Sequence, residues 1–391
     1  MSVTQRRESA PLHVVHVIDS LAPGGAEVSL TTLAPALVHR GVRLDVVALK
    51  ATPGLQPALG DAGVVVTELS GSRRTWWRQL QVLLRERHPA LVHTTLFEAD
   101  LAGRIGARLS HVPVVSTLAN ESYGTAHRAE YGSRPLRLLA AQFSDAATAR
   151  FTVRLHAISC QVADVMAQRL LYPRDRIDVI LRGRDPDILG RRTLDRRRRV
   201  RERLGVLADE PLLLVLARQE RQKGLDLLID ALPRVLAQVP KARLFIAGRT
   251  GNETASLRAQ VARVDQAGRV DFLGVRSDTS DLLCAADAFV LPSRREGLGS
   301  SVLEAMALEC PIVVSDLPAV REMVDDALAV LVPPEDPDAL AAAVLHTLSS
   351  RHQSRERANA ARRRFLDRFT VDRIADQTVC FYERCIAASH T

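Results

Sequence analysis

Short apolar segments alternate with segments of helical periodicity along this chain, and the alternation starts again near residue 212. Strands that alternate with helices form parallel sheets whose faces are covered by helices. Two such series predict an α/β fold of two doubly wound domains with a cleft between them. The predicted strands are residues 13–18, 42–49, 63–69, 90–93, 114–117, 155–159, 212–217, 243–247, 270–273, 288–291 and 312–314.

The length of the chain agrees with this organisation. A chain of 391 residues is too long for one ordinary domain, and 47% hydrophobic residues are enough for two cores. The join between the two series falls near residues 183–194. We therefore place the first domain at residues 1–183 and the second at residues 184–368.

The net charge of the chain limits the classes of molecule that we expect the protein to bind. The formal charge is +8 and comes almost entirely from arginine, because Lys50, Lys223 and Lys241 are the only lysines. A basic protein suits anionic substrates, anionic membranes or nucleic acid. The chain has no zinc-finger spacing, and 4% aromatic residues provide no stacking platform for bases. We therefore expect no nucleic-acid partner.

The cysteines and the apolar runs bear on the compartment. The five cysteines are odd in number and form no C-x-x-C, which is typical of reduced thiols in a cytosolic protein. No apolar run approaches the ~18 residues of a membrane-spanning helix. Residues 1–11 lack the apolar core of a signal peptide. These patterns predict a cytoplasmic protein.

Two glutamates, Glu296 and Glu304, bracket a turn rich in glycine and serine. Residues 288–291 before the turn predict a buried strand, and residues 301–308 after it predict a helix. A helix that starts after such a turn has backbone N–H groups that bind an anion such as a diphosphate. Because carboxylates repel phosphate, the two glutamates are better suited to accept hydrogen bonds from sugar hydroxyls. The segment therefore predicts a ligand with sugar and diphosphate parts.

Two cations and a second glycine pair suit the same ligand. Arg218 and Lys223 lie between a predicted strand and a predicted helix, where they would neutralise a diphosphate leaving group. The alternative is a surface turn in an Arg-rich chain, but the rare use of lysine at position 223 favours a site. Gly24 and Gly25 would allow the backbone of the first domain to approach the diphosphate.

Three further features have a structural and a functional interpretation. Residues 185–187 and 336–338 read Asp-Pro-Asp, the D-x-D spacing of some metal-dependent sugar transferases. The central proline favours a turn or a helix start instead, so we expect no metal site. His93 is predicted to end a strand at the edge of the sheet, where a site role and a core role remain open.

Two Arg-rich segments raise the question of a membrane. Residues 191–203 hold eight arginines, which we interpret as a solvated helix, with contact to acidic lipid as the alternative. Trp76 and Trp77 lie among arginines, which suits an anionic membrane unless the rings pack inward. The arginines concerned are Arg73, Arg74, Arg78, Arg128, Arg134 and Arg137.

These segments together resemble the family-4 glycosyltransferases, which have the GT-B fold of two Rossmann-like domains. The most specific part of the resemblance is the pair of glutamates with seven residues between them, followed by Ala-Met-Ala at positions 305–307. The other segments that carry it are Pro23 to Glu27, Arg218, Gln222 to Gly224, Leu244 to Gly248, and Phe272 to Gly274.

The resemblance implies a retaining enzyme that moves a sugar from a nucleotide diphosphate sugar to a hydroxyl acceptor, such as a glycan or a lipid-linked intermediate. It implies no bound metal and no other cofactor. It also implies that residues 369–386 form a closing helix on the first domain. The implied catalytic residues are Glu296, Arg218 and Lys223, and the implied donor-binding residues are Gly25, Gly274, Val275, Gly297, Leu298, Gly299, Ser300, Ser301 and Glu304.

The chain departs from the family pattern at three places. A histidine that often follows the strand at 114–117 is replaced by Ala119, so we expect Asn120 or His93 to fill that space on the acceptor side. The usual Asn-Gly before the linker is Arg182-Gly183, and Cys310 replaces a small residue. The missing histidine leaves one alternative open: a catalytically weak homologue that binds nucleotide sugar and acts as a partner subunit.

Overall fold

The computed structural model describes residues 11–124, 135–264 and 268–389. The chain divides into two compact units. Unit 1 is Met1–Gly183 together with Val371–Thr391, and unit 2 is Arg184–Thr370. Arg128 and Arg134, which we predicted near a membrane surface, lie outside the described residues.

Unit 1 is built on a parallel sheet whose seven described strands follow the order β3-β2-β1-β4-β5-β6-β7. The strands are β1 (Leu12–Ile18), β2 (Val42–Ala48), β3 (Val65–Glu68), β4 (Leu91–Thr95), β5 (Val114–Leu118), β6 (Arg154–Ala157) and β7 (Ile177–Val179). The described helices are α1 (Gly25–His39), α2 (Gln56–Asp61), α3 (Arg73–Arg87), α4 (Phe97–Leu109), α5 (Pro135–Ala149), α6 (Cys160–Leu170) and, at the end of the chain, α16 (Val371–Ser389).

Alternate residues of the central strands fill two cores in unit 1. Val14 packs on the side of α1 and α16, while Val15 packs on the side of α3 and α4. This alternation follows from the two-residue period of a strand. Trp76 of α3 belongs to the second core and is 5% exposed. Trp77 is partly buried beneath Arg78, so the two rings do not form an exposed aromatic pair.

Unit 2 repeats the design with six described strands in the order β10-β9-β8-β11-β12-β13. The strands are β8 (Leu212–Leu216), β9 (Arg243–Ala247), β10 (Val270–Gly274), β11 (Ala288–Leu291), β12 (Ile312–Ser315) and β13 (Val330–Val332). The described helices are α7 (Pro186–Leu189), α8 (Leu194–Arg203), α9 (Leu225–Gln238), α10 (Thr254–Val264), α11 (Thr279–Ala285), α12 (Ser300–Ala307), α13 (Pro318–Arg321), α14 (Pro337–Ser349) and α15 (Arg351–Arg368). The prediction of two doubly wound sheets is confirmed.

The arginines of residues 191–203 bind protein groups in unit 2. Arg192 and Arg197 donate to the carbonyl oxygen of Ala286, just after the C-terminus of α11, at 2.7 and 2.8 Å. Arg201 donates to the carbonyl oxygen of Ala285 at 3.0 Å. The last carbonyls of a helix have no intrahelical partner and carry its negative end, so cations bind there. The interpretation as a solvated helix was therefore incomplete, because Arg197 and Arg201 hold α8 against the end of α11, and Arg192 holds the segment before α8 there.

Candidate active site

In the parallel sheet of unit 2, the order in which the chain adds strands reverses between β8 and β11, which are paired neighbours. The chain proceeds from β8 outward to β9 and β10, and then returns to β11 on the other side of β8. In open α/β sheets, ligands bind at the carboxyl ends of the strands where the order reverses. The loop after β8 carries Arg218 and Lys223, and the loop after β11 carries Glu296. The fold therefore brings the two predicted loops to one edge of the sheet.

Hydrogen bonds join these two loops. The backbone N–H of Arg294 donates to the carbonyl of Gln222 at 2.9 Å, and the Gln222 side chain donates to the carbonyl of Arg295 at 3.0 Å. Gly224 has φ of +63°, and a Cβ at this position would lie 2.0 Å from the carbonyl oxygen of Pro292. Only glycine allows the backbones to approach this closely. The relative position of the two loops is thus fixed by backbone contacts.

The side chains of Lys223 and Glu296 form an ion pair across the two loops. Lys223 Nζ lies 2.6 Å from Glu296 Oε1, and Ser293 Oγ donates to the same oxygen at 2.7 Å. Glu296 is 7% exposed. Burying a charged group is costly unless the group is paired and hydrogen-bonded, and these two partners meet that requirement. Two of the three residues predicted as catalytic are therefore in direct contact, which the sequence did not reveal.

The third predicted catalytic residue has a different environment. Arg218 is exposed, and within the described ranges its side chain has no hydrogen bond or ion pair. Its neighbourhood is nevertheless ordered, since a Cβ at Gly248 would lie 1.9 Å from the carbonyl oxygen of Ala217. Arg218 is thus a cation on an ordered loop at the carboxyl edge of the sheet.

The glycine turn after Glu296 leads directly into α12. Gly299 precedes the helix with φ of +86°, a conformation that favours glycine, and Ser300 is the first helical residue. The positive end of the helix dipole therefore lies at the turn formed by Gly297 to Ser301. The segment that we predicted to bind a diphosphate occupies this position.

Glu304, one turn into α12, has a partner that sequence reasoning missed. Arg184 Nε donates to Glu304 Oε1 at 2.8 Å. The two residues are 120 positions apart, and nothing in the pattern around residue 184 indicated the contact. At the far side of the sheet, Gly274 ends β10 with φ of +66° and Val275 is 73% exposed. Both are among the implied donor-binding residues, and both lie at the carboxyl edge of the sheet.

On the predicted acceptor side, the expectation for His93 was wrong in one respect. His93 does not end its strand, because β4 continues to Thr95. The ring is 4% exposed and lies 2.7 Å from the Tyr382 hydroxyl and 2.6 Å from Thr117 Oγ1. Burial lowers the pKa of His93 well below its ordinary value, with a further contribution from the histidines beside it. A neutral, fully hydrogen-bonded imidazole is characteristic of a core residue.

His93 belongs to a row of three histidines in unit 1, of which His16 and His93 are buried and His156 is partly buried. His16 lies beside it, with ring centroids 4.5 Å apart, and His156 lies on its other side at 6.1 Å. Burial lowers the pKa of His16 to about 3 and that of His156 to about 4. The row therefore stays uncharged at neutral pH. Sequence reasoning missed it because the three histidines come from separate strands.

The other two site residues that we predicted in unit 1, Asn120 and Gly25, are exposed. Asn120 is exposed in the loop after β5, next to Ala119. Gly25 is the first residue of α1, and Arg182 donates to its carbonyl oxygen at 2.8 Å. The arginine at position 182 is one of the departures from the family pattern, and it places a cation beside the glycine pair.

Both Asp-Pro-Asp segments are helix starts, as the central proline indicated. Asp185 accepts from the backbone N–H of Asp187 and Ile188 ahead of α7, and Asp336 accepts from Asp338 and Ala339 ahead of α14. These are N-caps. Within residues 11–124, 135–264 and 268–389, no group of histidine, cysteine and carboxylate side chains is arranged to hold a metal ion.

Two family models match consecutive parts of the chain. Residues 23–188 match the model described as Glycosyltransferase Family 4, and residues 196–364 match the model described as Glycosyl transferases group 1. Together they cover most of the sequence. The chain belongs to the family-4 glycosyltransferases.

Three relatives illustrate this membership. An uncharacterised glycosyltransferase of Methanocaldococcus jannaschii is 33% identical over 54% of this chain and 55% of its own length. The D-inositol 3-phosphate glycosyltransferase of Xylanimonas cellulosilytica is 29% identical over 88% of each chain. The phosphatidyl-myo-inositol mannosyltransferase of Mycobacterium tuberculosis is 34% identical over 42% of this chain and 44% of its own. The alignment thus spans about half the length of the first and third relatives.

Solved structures support the fold. Anabaena HepE, in a complex with UDP and glucose, has a TM-score of 0.83 at 22% identity and matches 95% of this chain and 100% of its own. Sucrose-phosphate synthase of Thermosynechococcus elongatus has a TM-score of 0.78 at 21% identity, with 96% and 100% covered. The predicted GT-B fold of two α/β domains is confirmed.

Proposed function

We propose that this protein is a retaining glycosyltransferase that transfers a sugar from a nucleotide diphosphate sugar to a hydroxyl acceptor without a metal ion. The observation that carries the proposal is the ion pair of Lys223 and Glu296 at the reversal point of the unit 2 sheet. One cation and one sugar-binding carboxylate are held together there, beside the N-terminus of α12. Family membership supplies the reaction class, and retention of configuration is inferred from the same resemblance.

Each residue then has a role that suits its chemistry. Lys223 and Arg218 stabilise the negative charge that develops on the leaving diphosphate, which accelerates the reaction only if the contact is stronger in the transition state. The backbone of Gly297 to Ser301 contributes N–H groups to the same phosphates. Glu296 accepts hydrogen bonds from the donor sugar. It is already neutralised by Lys223, so it suits recognition of hydroxyls better than proton transfer.

The rest of the donor is assigned by the same reasoning. Glu304 accepts hydrogen bonds from the ribose hydroxyls, and Gly274 and Val275 lie by the base. Candidate donors are UDP-, GDP- and ADP-sugars. The HepE complex with UDP and a GDP-mannose-dependent mannosyltransferase among the relatives support the first two of these donors.

The acceptor is proposed to be a hydroxyl of a glycan or of a lipid-linked intermediate. The inositol and phosphatidylinositol acceptors in the names of relatives support a hydroxyl of this kind. The alternative function is a weakly catalytic homologue that binds nucleotide sugar as a partner subunit. The feature that favours it is Ala119 in place of the family histidine. The Lys223–Glu296 pair favours the enzyme.

The test is a thermal-stability screen of UDP-, GDP- and ADP-sugars, because a ligand that binds the folded state raises its stability. The sugar nucleotide that stabilises the protein is then followed by NMR for hydrolysis and transfer. A product with the donor's anomeric configuration supports retention. Stabilisation without hydrolysis or transfer would favour the partner-subunit alternative, and no stabilisation by any donor would refute both.

We also propose peripheral contact with an anionic membrane, through a surface other than the two tryptophans. Leu136, Leu139 and Phe143 of α5 are 79, 50 and 77% exposed and share one face at helical spacing. Arg137 and Arg150 are exposed beside them. Asp145, the acidic residue of α5, is turned inward and lies 2.6 Å from the buried Arg104. An apolar face with exposed arginines and an inward-facing acid suits acidic lipid.

The described residues include no helix that is both long enough and apolar enough to cross a bilayer. The α5 helix has 15 residues and one exposed apolar face, so the contact proposed for it is interfacial. A lipid-linked acceptor would make such contact useful, because it would bring the enzyme to the surface where its substrate is held.

A further inference from the structure

Among the described residues, one arginine holds the carboxylate of Glu304, and the proposed function gives that arginine no role. Arg184 Nε lies 2.8 Å from Glu304 Oε1, and the two side chains are 9 and 17% exposed. Most surface ion pairs contribute little because both side chains are mobile in water. This pair is largely withdrawn from water, so the arginine restricts the position of the carboxylate.

The backbone of Arg184 is itself anchored. Its N–H donates to the carbonyl of Phe369 at 3.0 Å, and it forms a parallel bridge with Thr370. Arg184 is the first residue of unit 2 and Thr370 is the last. The guanidinium therefore extends from the point where the chain enters and leaves the unit to the first turns of α12. Because the backbone of Arg184 is fixed, its side chain always starts from the same position.

We propose that Arg184 is a positioning residue that fixes the Glu304 carboxylate for the two neighbouring hydroxyls of the donor ribose. This inference rests on the proposed function of Glu304. A carboxylate has about four lone-pair positions, so one N–H from Arg184 leaves acceptor sites for a vicinal diol. Hydrogen bonds from a diol to a carboxylate are stronger than hydrogen bonds between neutral groups.

A positioned carboxylate lowers the cost of binding. A free glutamate side chain has several rotamers, and ordering one of them on binding costs free energy. If Arg184 has already fixed the Glu304 rotamer, this cost is absent, and the hydrogen bonds to the ribose hydroxyls contribute more to the free energy of binding. Without Arg184 the nucleotide would still bind through its phosphates, but the contribution of the hydroxyls would fall. The predicted effect is therefore specific to the ribose.

The experiment compares two ligands in each variant by calorimetry. The probes are UDP, GDP or ADP, whichever stabilises the wild type, and its 2′,3′-dideoxy analogue. We expect the wild type to prefer the ribonucleotide by roughly tenfold or more, the range of hydrogen bonds to charged groups. In Arg184→Met this preference should fall to about twofold or less, with the affinity for the dideoxy analogue unchanged. Arg184→Lys should restore part of the preference.

A matched control separates positioning from general stability. Arg192 is also partly buried in unit 2, but it donates to the backbone carbonyls of Ala286 and Glu309. Arg192→Met should lower the melting temperature and leave the ribose preference unchanged. Circular dichroism confirms that each variant is folded before titration.

The outcomes distinguish this inference from the proposed function beneath it. If Glu304→Ala abolishes the ribose preference while Arg184→Met retains it, Arg184 is a purely structural partner and the inference is wrong. If Glu304→Ala retains the full preference, or the wild type shows none, the ribose role of Glu304 is wrong and the inference is overturned with it.

Discussion

Lys223 and Glu296 lie 73 positions apart in the chain, yet their side chains meet with 2.6 Å between Nζ and Oε1. The contact arises because β8 and β11 are neighbours in the sheet although β9 and β10 separate them in sequence. Each residue follows the carboxyl end of its strand. The sheet order therefore creates the pair, and the pair gives the candidate site both its cation and its carboxylate.

Removing either cation should slow transfer, but only one substitution should also destabilise the protein. We expect Lys223→Ala and Arg218→Ala each to lower turnover by roughly 10²-fold or more, the range for loss of a preorganised charge-stabilising donor. Lys223→Ala leaves the buried Glu296 without its cation, which costs about 3–5 kcal/mol when a buried pair is broken. Arg218 has no such partner in the described structure, so the free energy of unfolding of Arg218→Ala should equal that of the wild type.

Urea denaturation and steady-state kinetics check this contrast. Arg221→Ala, an exposed position in the same loop, is the control for general effects of removing a positive charge. Wild-type turnover in both folded variants would remove the assigned roles. Equal stability of Lys223→Ala and Arg218→Ala would contradict the energetic importance of the ion pair.

Transfer should proceed without a divalent metal. We expect Arg218, Lys223 and the N–H groups at the start of α12 to stabilise the diphosphate together, and Asp185 and Asp336 already serve as helix caps. We expect full activity in EDTA, measured as product release with the purified enzyme. Complete loss of transfer, restored by Mn²⁺ or Mg²⁺, would show that the Asp-Pro-Asp segments or other carboxylates bind metal.

The buried histidine row should make unit 1 sensitive to acid. The pKa of His16 is about 3 in the folded protein, against an ordinary 6.5. Between these values the unfolded chain binds a proton that the folded chain does not, so stability falls as pH falls from about 6.5. His16→Asn removes this contribution. As the pH falls, we expect the free energy of unfolding of His16→Asn to decrease less than that of the wild type, by about 1.4 kcal/mol per pH unit.

The measurement exploits the position of the tryptophans. Trp76 and Trp77 are the only tryptophans in the sequence, and both lie in unit 1, so their fluorescence during urea denaturation reports this unit. Burial raises the pKa of Asp19 to about 6 and that of Asp100 to about 7, which acts in the opposite direction. The comparison is therefore between the slopes of wild type and variant. Parallel slopes would contradict a neutral, buried His16.

Membrane contact should depend on the exposed face of α5. The double substitution Leu136→Ser and Phe143→Ser removes the two most exposed large side chains of that face, so flotation with anionic liposomes should decrease several-fold at low salt, where attraction is strongest. Leu194→Ser, at the exposed first residue of the Arg-rich α8, is the control. No flotation of the wild type would refute membrane contact. Loss only with Leu194→Ser would assign it to α8.

Local patterns were sufficient for most elements of the fold. The apolar strand around residues 288–291 and the helix after the glycine turn both appear within one or two residues of the predicted bounds. The error at His93 also had a local origin. The polar run His93-Thr94-Thr95 looked like a strand end, but its side chains are buried because they hydrogen-bond to other buried polar groups.

The sequence by itself determined the order of strands and helices, the family, and which loops carry glycines, cations and carboxylates, because periodicity and motifs are local properties. Only the tertiary structure decided the partners. Lys223 meets Glu296, Arg184 holds Glu304, and Arg192 binds the carbonyls beyond α11 because distant segments became neighbours in a folded unit. Such pairings depend on sheet order and helix packing, which no local pattern encodes.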